Sequence, residues 1–208
     1  MLRSLRVTVS ALAISALIGI PCGTWLALIR FPGKRLLNAV IYTGMGLPPV
    51  VAGLMVYLFL SRSGPLGDLG WLFSIRAMIV AQTIIATPLI IGVTMSSVQG
   101  VDPSLRIQLR ALGATSWQTT LAVLIEARFG VIVGIVAGFG SIISEVGAVM
   151  LVGGNIDGRT RVLTTAVVLE TRRGNFDLAL ALGIILLTLS FIANLIMAFG
   201  QGRLAESG

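Results

Sequence analysis

The sequence predicts an all-α membrane protein with five transmembrane helices, on two observations. Of the 208 residues, 56% are hydrophobic and 11% are charged, whereas a soluble domain carries roughly 25% charged residues. The charged residues also leave five long apolar stretches, at 7–29, 36–61, 77–101, 129–156 and 178–202. Each exceeds the roughly 20 apolar residues that a helix needs to cross a bilayer. Only helices satisfy their own backbone groups in lipid, and no alternating pattern favours a barrel.

The first stretch, 7–29, follows Arg3 and Arg6 and so begins like a secretory signal peptide. It contains 23 uncharged residues, whereas the apolar region of a signal peptide has about 7–15. We therefore interpret it as a retained helix.

The second and third stretches contain prolines, Pro48 and Pro49 in one and Pro88 in the other. Proline inside a helix removes a backbone hydrogen bond and kinks the axis. The sequence therefore predicts two kinked helices, which suit a pathway that opens and closes.

The fourth stretch, 129–156, carries a row of glycines at Gly130, Gly134 and Gly138 and one acidic residue, Glu145. Glycines four residues apart let helices approach closely, within one bundle or between subunits. An ionisable residue inside a span costs about 2.5–3.5 kcal/mol and indicates a structural or functional role. For Glu145 three roles stay open, which are a structural bond, a gate and a proton relay.

The segment 101–128, between the third and fourth stretches, predicts two short helices. Asp102 and Pro103 favour a helix start, and Gly113 favours its end. Ser116 is predicted to cap a second helix, whose apolar side contains Trp117, Leu121 and Leu124. The pair forms either a knob at the membrane surface or an interfacial pair lying on lipid headgroups.

Several chemistries are excluded by the residues themselves. The chain has no histidine and a single cysteine, Cys22, so the sequence predicts no metal site and no histidine-based catalysis. At the only lysine, Lys34, the first glycine of a phosphate-binding loop and the serine or threonine after the lysine are missing. The net charge of +7 belongs to loops at lipid headgroups and not to a nucleic-acid groove. We therefore predict neither an enzyme nor a cofactor bound by this chain.

Three segments resemble ABC importer permeases. Residues 105–117, with Gly113 at the family's glycine, resemble the coupling segment called the EAA loop, although residues 107–109 replace its Glu-Ala-Ala. Residues 46–54 and 144–156 resemble segments of the molybdate, sulfate and tungstate permeases. Residues 158–171 are most similar to the tungstate type. The chain is thus identified as a member of the oxyanion group of these permeases.

The resemblance implies a type I ABC importer permease fold, with one permease domain over 1–208 and a cytoplasmic coupling loop at 101–128. It implies tungstate import driven by a separate ABC ATPase that binds ATP and Mg. The other implied partners are an extracytoplasmic oxyanion-binding protein, a second permease copy in a homodimer, and the bilayer of the prokaryotic inner membrane. The N-terminus would lie outside and the C-terminus in the cytoplasm, an orientation that the basic residues alone leave open. The alternatives are molybdate or sulfate import, and a proton-coupled transporter using Glu145.

Two sets of site residues follow from these segments. The set expected to couple to the ATPase is Arg106, Leu109, Leu112, Gly113, Ala114 and Trp117. The set expected to line or gate the pathway is Pro48, Pro49, Thr87, Ser141, Ser144, Glu145, Gly153, Gly154 and Asn155.

Overall fold

A computed structural model describes the backbone of residues 2–206 and the side chains of residues 2–196, and every regular element within them is helical. One short 3₁₀ turn, Gly67–Leu69, lies between the third and the fourth α-helix. The ten α-helices are α1 Leu2–Leu28, α2 Lys34–Met45, α3 Pro49–Leu60, α4 Ile75–Gln99, α5 Pro103–Ala111, α6 Ser116–Glu126, α7 Arg128–Ile143, α8 Gly147–Gly153, α9 Leu163–Arg172 and α10 Phe176–Glu206.

Three single helices are long and apolar enough to cross a membrane, namely α1, α4 and the described part of α10, Phe176–Ile196. Two further pairs of helices, α2 with α3 and α6 with α7, pass the same test when each pair is taken together. By length and composition, the predicted number of five spans is reached when each bent pair counts as one span, but the fourth then covers Ser116–Ile143 and not the predicted 129–156.

The second apolar stretch is not one kinked helix, so that prediction was wrong. It forms two helices, α2 and α3, whose axes differ by 102°. Consecutive prolines explain the break, because a residue that precedes a proline is disfavoured in the helical region. Pro48 accordingly has φ −58° and ψ 123°, and Pro49 is the first residue of the new helix. The single Pro88, by contrast, lies inside α4, which continues past it to Gln99.

The fourth stretch is also not one helix. Helix α7 ends at Ile143, three residues follow without helical structure, and α8 begins at Gly147. Glu145 therefore lies in a break between two helices and not inside a span. At its other end α7 joins α6 through Ala127 with a bend of 65°.

Helix α4 lies at the centre of the bundle, with Met78, Ile90 and Met95 fully buried. Two rows of glycines bring the neighbouring helices onto it. A Cβ atom on Gly19 of α1 would lie 2.7 Å from Ile90 Cγ2, and one on Gly138 of α7 would lie 3.2 Å from Ile90 Cδ1. The glycine rows thus serve close packing within this chain, one of the two roles that the sequence left open.

Candidate functional site

The segment 102–127 forms a knob of two short helices, α5 and α6, beside the last residues of α1 and α4. Its first helix begins as predicted, because Asp102 Oδ1 accepts a hydrogen bond of 2.8 Å from the Ser104 N–H and Pro103 is the first helical residue. That hydrogen bond from the Ser104 backbone lowers the pKa of Asp102 from its ordinary value. The carboxylate is therefore charged at neutral pH and interacts favourably with the positive, N-terminal end of the helix dipole.

The first helix of the knob, which ends at Ala111, is terminated by Gly113 just after its C-cap, as predicted. Gly113 has φ +86°, and its N–H donates to Arg110 O at 3.0 Å, while the Ala114 N–H donates to Leu109 O at 3.0 Å. These two bonds form a Schellman motif, which requires a left-handed residue at this position. A Cβ atom on Gly113 would meet nothing within 4 Å, so the glycine is needed for its backbone conformation.

The second helix of the knob is capped by Thr115, so the prediction of Ser116 was wrong by one residue. The Gln118 N–H donates to Thr115 Oγ1 at 3.3 Å, and the Thr115 N–H donates to Gln118 Oε1 at 2.8 Å. This reciprocal pair is a capping box. Ser116 is the first helical residue.

The knob is anchored by a small apolar cluster and exposes its tip. Val98 of α4 and Val123 of α6 are fully buried in the cluster, with Val101 and Ala127 beside them. All six residues predicted to couple to an ATPase lie on the knob. Leu112 lies in the turn between the two helices, which we call the tip of the knob, and its apolar side chain is 84% exposed.

The two helix breaks found in the fold lie against each other, and we call the contact of residues 46–53 with residues 144–148 the break junction. A Cβ atom on Gly53 would lie 2.5 Å from Ala148 Cα. One on Gly147 would lie 2.6 Å from Val50 Cγ2. The first turns of α3 and α8 therefore pack at backbone distance, which only small residues permit.

Glu145 has two contacts at the break junction. Its Oε1 atom accepts a hydrogen bond of 2.9 Å from the Ala148 N–H, and Thr164 Oγ1 donates to its backbone oxygen at 3.1 Å. The carboxylate thus satisfies a backbone group in the first turn of α8. This contact corresponds to the structural bond among the three roles left open by the sequence.

The remaining residues of the predicted pathway do not form one site. Ser144 Oγ donates to Gly140 O at 2.9 Å within its own chain segment, near Ser141. Thr87 lies on α4, where its Oγ1 donates to Thr83 O at 2.7 Å and lies 3.2 Å from Ser15 Oγ of α1. Pro48, Pro49, Ser141, Ser144 and Glu145 are thus grouped around the two breaks, whereas Thr87 belongs to the contact between α1 and α4.

Gly153, Gly154 and Asn155 lie at the other end of α8. Gly154 and Asn155 have φ +70° and +49° and terminate the helix. Asn155 Oδ1 is buried without a hydrogen-bond partner among the described residues. These three residues therefore form a second group, one helix length away from Glu145.

The sequence did not predict a cavity of about 510 Å³ near the start of α1, whose lining includes Arg6, Arg76 and Arg159. We call it the three-arginine cavity. Arg76 also lies over the ring of Trp71, 5.6 Å from its centroid. The arginines come from α1, from the start of α4 and from the segment before α9. The available signal was that Arg6 and Arg76 precede the first and third apolar stretches and Arg159 follows the fourth, which places all three on the same side of a chain with five spans.

Residues 19–205 match the family described as the binding-protein-dependent transport system inner membrane component. The chain is 46% identical to a probable anion ABC transporter permease protein of Haloferax volcanii, over 96% of this chain and 88% of that protein. It is 39% identical to the tungstate uptake system permease protein of Peptoclostridium acidaminophilum, over 93% of this chain and 85% of that protein. Its fold is similar to a chain of the inward-facing MetNI methionine ABC transporter, with a TM-score of 0.73 and 20% identity over 99% of this chain and 92% of that chain.

Proposed function

The chain belongs to the family of binding-protein-dependent transport system inner membrane components, and from that premise we propose that it carries tungstate across the membrane in an ATP-driven importer. It is a permease subunit of an ABC importer and not an enzyme. The observation that carries the choice of tungstate is the similarity to a tungstate uptake permease along nearly the whole chain. Segment 158–171, which by its sequence is most similar to the tungstate type, follows α8 and enters α9.

Coupling to the ATPase is assigned to the knob. When two ATPase subunits close on ATP and Mg, each would displace one knob and thereby rotate the helices packed on it. A displacement is transmitted only by an element that keeps its shape. The capping box at Thr115 and the Schellman motif at Gly113 supply that rigidity from residues within the knob. Leu112 and Ala114 flank Gly113 at the tip and form the proposed docking surface, with Arg106 and Leu109 behind them.

The N-terminus is proposed to lie outside and the C-terminus in the cytoplasm, because the knob must face the ATPase. The three-arginine cavity then opens on the outer face, where an oxyanion-binding protein would release its cargo. Arginine guanidinium groups pair with the oxygens of an oxyanion through two parallel hydrogen bonds. Arg6, Arg76 and Arg159 thus suit the side on which the anion arrives.

The pathway itself is proposed to run past the break junction, between this chain and a second copy. Uncharged donors such as Ser141 and Ser144 can contact an oxyanion without trapping it. Gly153, Gly154 and Asn155 would form a further contact at the other end of α8. Glu145 would not bind the substrate, since a carboxylate repels an anion, and we assign it a role in holding α8.

Molybdate or sulfate is the second candidate for the substrate. The observation that favours it is segment 46–54, which resembles the corresponding segments of molybdate and sulfate permeases as well. Proton-coupled transport through Glu145 is the weaker alternative, because family members depend on a binding protein and because the carboxylate is engaged by the Ala148 N–H.

The proposal is tested by reconstituting the permease in liposomes with its ATPase and its binding protein, and measuring uptake of tungstate, molybdate and sulfate. We expect tungstate uptake that requires ATP and is lost when the ATPase is omitted. Equal uptake of all three anions would refute tungstate specificity of the importer. Uptake driven by a pH gradient without ATP would refute the coupling mechanism.

A further inference from the structure

An open groove runs along one side of α1 where it faces the knob. It has a volume of about 590 Å³ and is lined mainly by apolar side chains. On the α1 side these include Ile20, Trp25 and Leu28, and on the α6 side Trp117, Leu121 and Leu124. We call it the apolar groove. Leu28 and Leu124 pack against the same buried cluster, so they form its floor.

A second cavity adjoins the apolar groove and has the opposite character. It has a volume of about 400 Å³, and its lining contains three arginines, Arg30, Arg106 and Arg110. Among the residues that the structure describes, no acidic one lines it. Leu28 lines both cavities, so the two are adjacent at that residue. We call the second cavity the arginine cup.

The arginines of the cup have little to neutralise them within the described residues. Arg106 Nε is buried without a hydrogen-bond partner there. The neighbouring Lys34 is already engaged, because its Nζ donates to Ile29 O at 2.8 Å and to Ala27 O at 3.4 Å at the end of α1. The cup therefore presents three positive charges to an anion that approaches from outside the chain.

We propose that the apolar groove and the arginine cup together bind one anionic phospholipid, with an acyl chain in the groove and the phosphate in the cup. One wall of the groove is α1, which is long and apolar enough to cross a membrane, so a lipid acyl chain can reach the groove from the bilayer. Basic pockets between transmembrane helices are suited to acidic lipid headgroups. This inference goes beyond transport of the substrate and does not depend on which oxyanion is carried.

The dimensions and the polarity of the site agree with a lipid in one leaflet. From Ile20 to Leu28 the helix rises by about 12 Å, and one leaflet contributes about 15 Å of hydrocarbon, half of the bilayer core. The apolar end lies deeper along α1, and the arginines lie just beyond its last residue, Leu28. Phospholipids have the same order, with the charge at the surface and the chain inside.

A lipid in this position would link α1 to both helices of the knob. Arg106 and Arg110 are on α5, and Trp117 and Leu121 are on α6. Trp117, which the sequence placed in the coupling set, thus lies beside α1 and away from the tip at Leu112. A bound anionic lipid would restrain the knob on the side that faces the membrane, and the tip of the knob would stay accessible to the ATPase.

The tryptophans of the chain give a direct test. There are three, at positions 25, 71 and 117, so a Trp71→Phe permease retains fluorescence from the two that line the apolar groove. This permease is placed in bilayers of phosphatidylcholine and phosphatidylglycerol, with bromine atoms on the acyl chains of one lipid or the other to quench tryptophan. The ratio of the two lipid affinities is obtained from the quenching. We expect phosphatidylglycerol to be preferred at least fivefold.

Variants of the arginine cup identify the headgroup contact. An arginine near an anionic lipid surface contributes about 1 kcal/mol, and 1.4 kcal/mol is a factor of ten in affinity. We therefore expect the preference to fall about fivefold in Arg30→Gln and about as much in Arg110→Gln. Arg35→Gln is the matched control, because Arg35 is exposed nearby but does not line the cup, and it should leave the preference unchanged.

Three results would overturn the proposal. Equal quenching by both lipids would mean that the cup does not select charge, and an equal loss in Arg35→Gln would mean that only diffuse surface charge attracts the lipid. An absence of quenching by either lipid would mean that protein covers the groove.

A second measurement uses the single cysteine, Cys22, which lines the same groove. A small fluorophore is attached to Cys22 before the ATPase is added, and nitroxide-labelled phosphatidylglycerol is the quencher. We expect the quenching to persist in the assembled importer. Its loss on addition of the ATPase would show that the groove is a protein contact and would refute the lipid site.

Discussion

The knob and the break junction are each built from two short helices, yet they are stabilised in opposite ways. In the knob, every capping contact joins residues within five positions of each other, as in the pair of Thr115 and Gln118. In the break junction, the decisive contact joins Gly53 to Ala148, in different halves of the chain. One is therefore specified locally and the other by long-range packing.

This difference agrees with the work assigned to each region. A knob that is pushed as a unit needs to keep its shape while the rest of the bundle moves, and local caps provide this. A junction on a pathway needs to change its packing between states. Contacts between small residues, with few hydrogen bonds, allow two helices to separate without leaving polar groups unsatisfied.

The largest effect is expected at the break junction, from Gly53→Ala. The added Cβ atom would lie 2.5 Å from Ala148 Cα, and backbone cannot move aside as a flexible side chain does. Overpacking of this kind costs about 1–3 kcal/mol. We expect a lower melting temperature in detergent and a severe loss of substrate uptake in liposomes.

Gly183→Ala in α10 is the matched control for that prediction, because a Cβ atom there would meet nothing within 4 Å. Alanine also favours helix over glycine by about 1 kcal/mol, so the control should be at least as stable as the parent. If Gly53→Ala were equally stable, the junction would not be held by close backbone contact.

The next largest effect is expected in the knob, from Gly113→Val. Here the cause is backbone conformation, since space is free around Gly113 but its φ is +86°. A residue with a side chain loses about 1–2 kcal/mol in the left-handed region. We expect the stimulation of ATP hydrolysis by the loaded binding protein to fall severalfold, while the bundle remains folded.

Asparagine provides the comparison at the same position, because it tolerates the left-handed region better than valine does. Gly113→Asn should retain more of the stimulation than Gly113→Val. Equal losses in the two variants would show that any side chain at position 113 disturbs the contact with the ATPase. The backbone conformation of the knob would then not be the cause.

A smaller effect is expected from Thr115→Ala, which removes the cap of α6. Loss of such a cap costs about 1 kcal/mol. Ser116→Ala is the control one residue away, where the hydroxyl is not the cap, and it should change less. Hydrogen exchange at the first amides of α6 measures both. Greater exchange in Ser116→Ala than in Thr115→Ala would restore Ser116 as the cap.

The same contrast explains what the sequence could predict. Asp102, Pro103 and Gly113 act through neighbours in the chain, so their roles follow from residue type and spacing. The cap was assigned one residue late because both Thr115 and Ser116 are good caps. The distinguishing signal was Gln118, which completes a capping box only with Thr115.

The break junction could not be derived in the same way. Marking charged residues finds apolar stretches, but the break at Pro48 lies where no charge marks it, and the one charge of the fourth stretch, Glu145, was interpreted as lying inside a span. Similarly, the need for glycine at positions 53 and 147 follows from the close packing of α3 against α8, which the sequence does not reveal. The three-arginine cavity was missed for the same reason, because its members come from distant segments that only the tertiary fold brings together.

The smallest effect is expected from Glu145→Gln, and it tests whether the break junction is purely structural. The amide oxygen of glutamine can still accept from the Ala148 N–H, so only the charge beside the first turn of α8 is lost, at about 0.3–1 kcal/mol. We expect the uptake rate to stay within about twofold of the parent, because glutamine keeps the hydrogen bond from the Ala148 N–H and loses only the charge. Glu145→Ala, which leaves that N–H without its acceptor, should cost more, about 0.5–2 kcal/mol. A folded Glu145→Gln permease that transports nothing would show that the junction needs the negative charge itself, and a gate or a proton site would then replace the structural role.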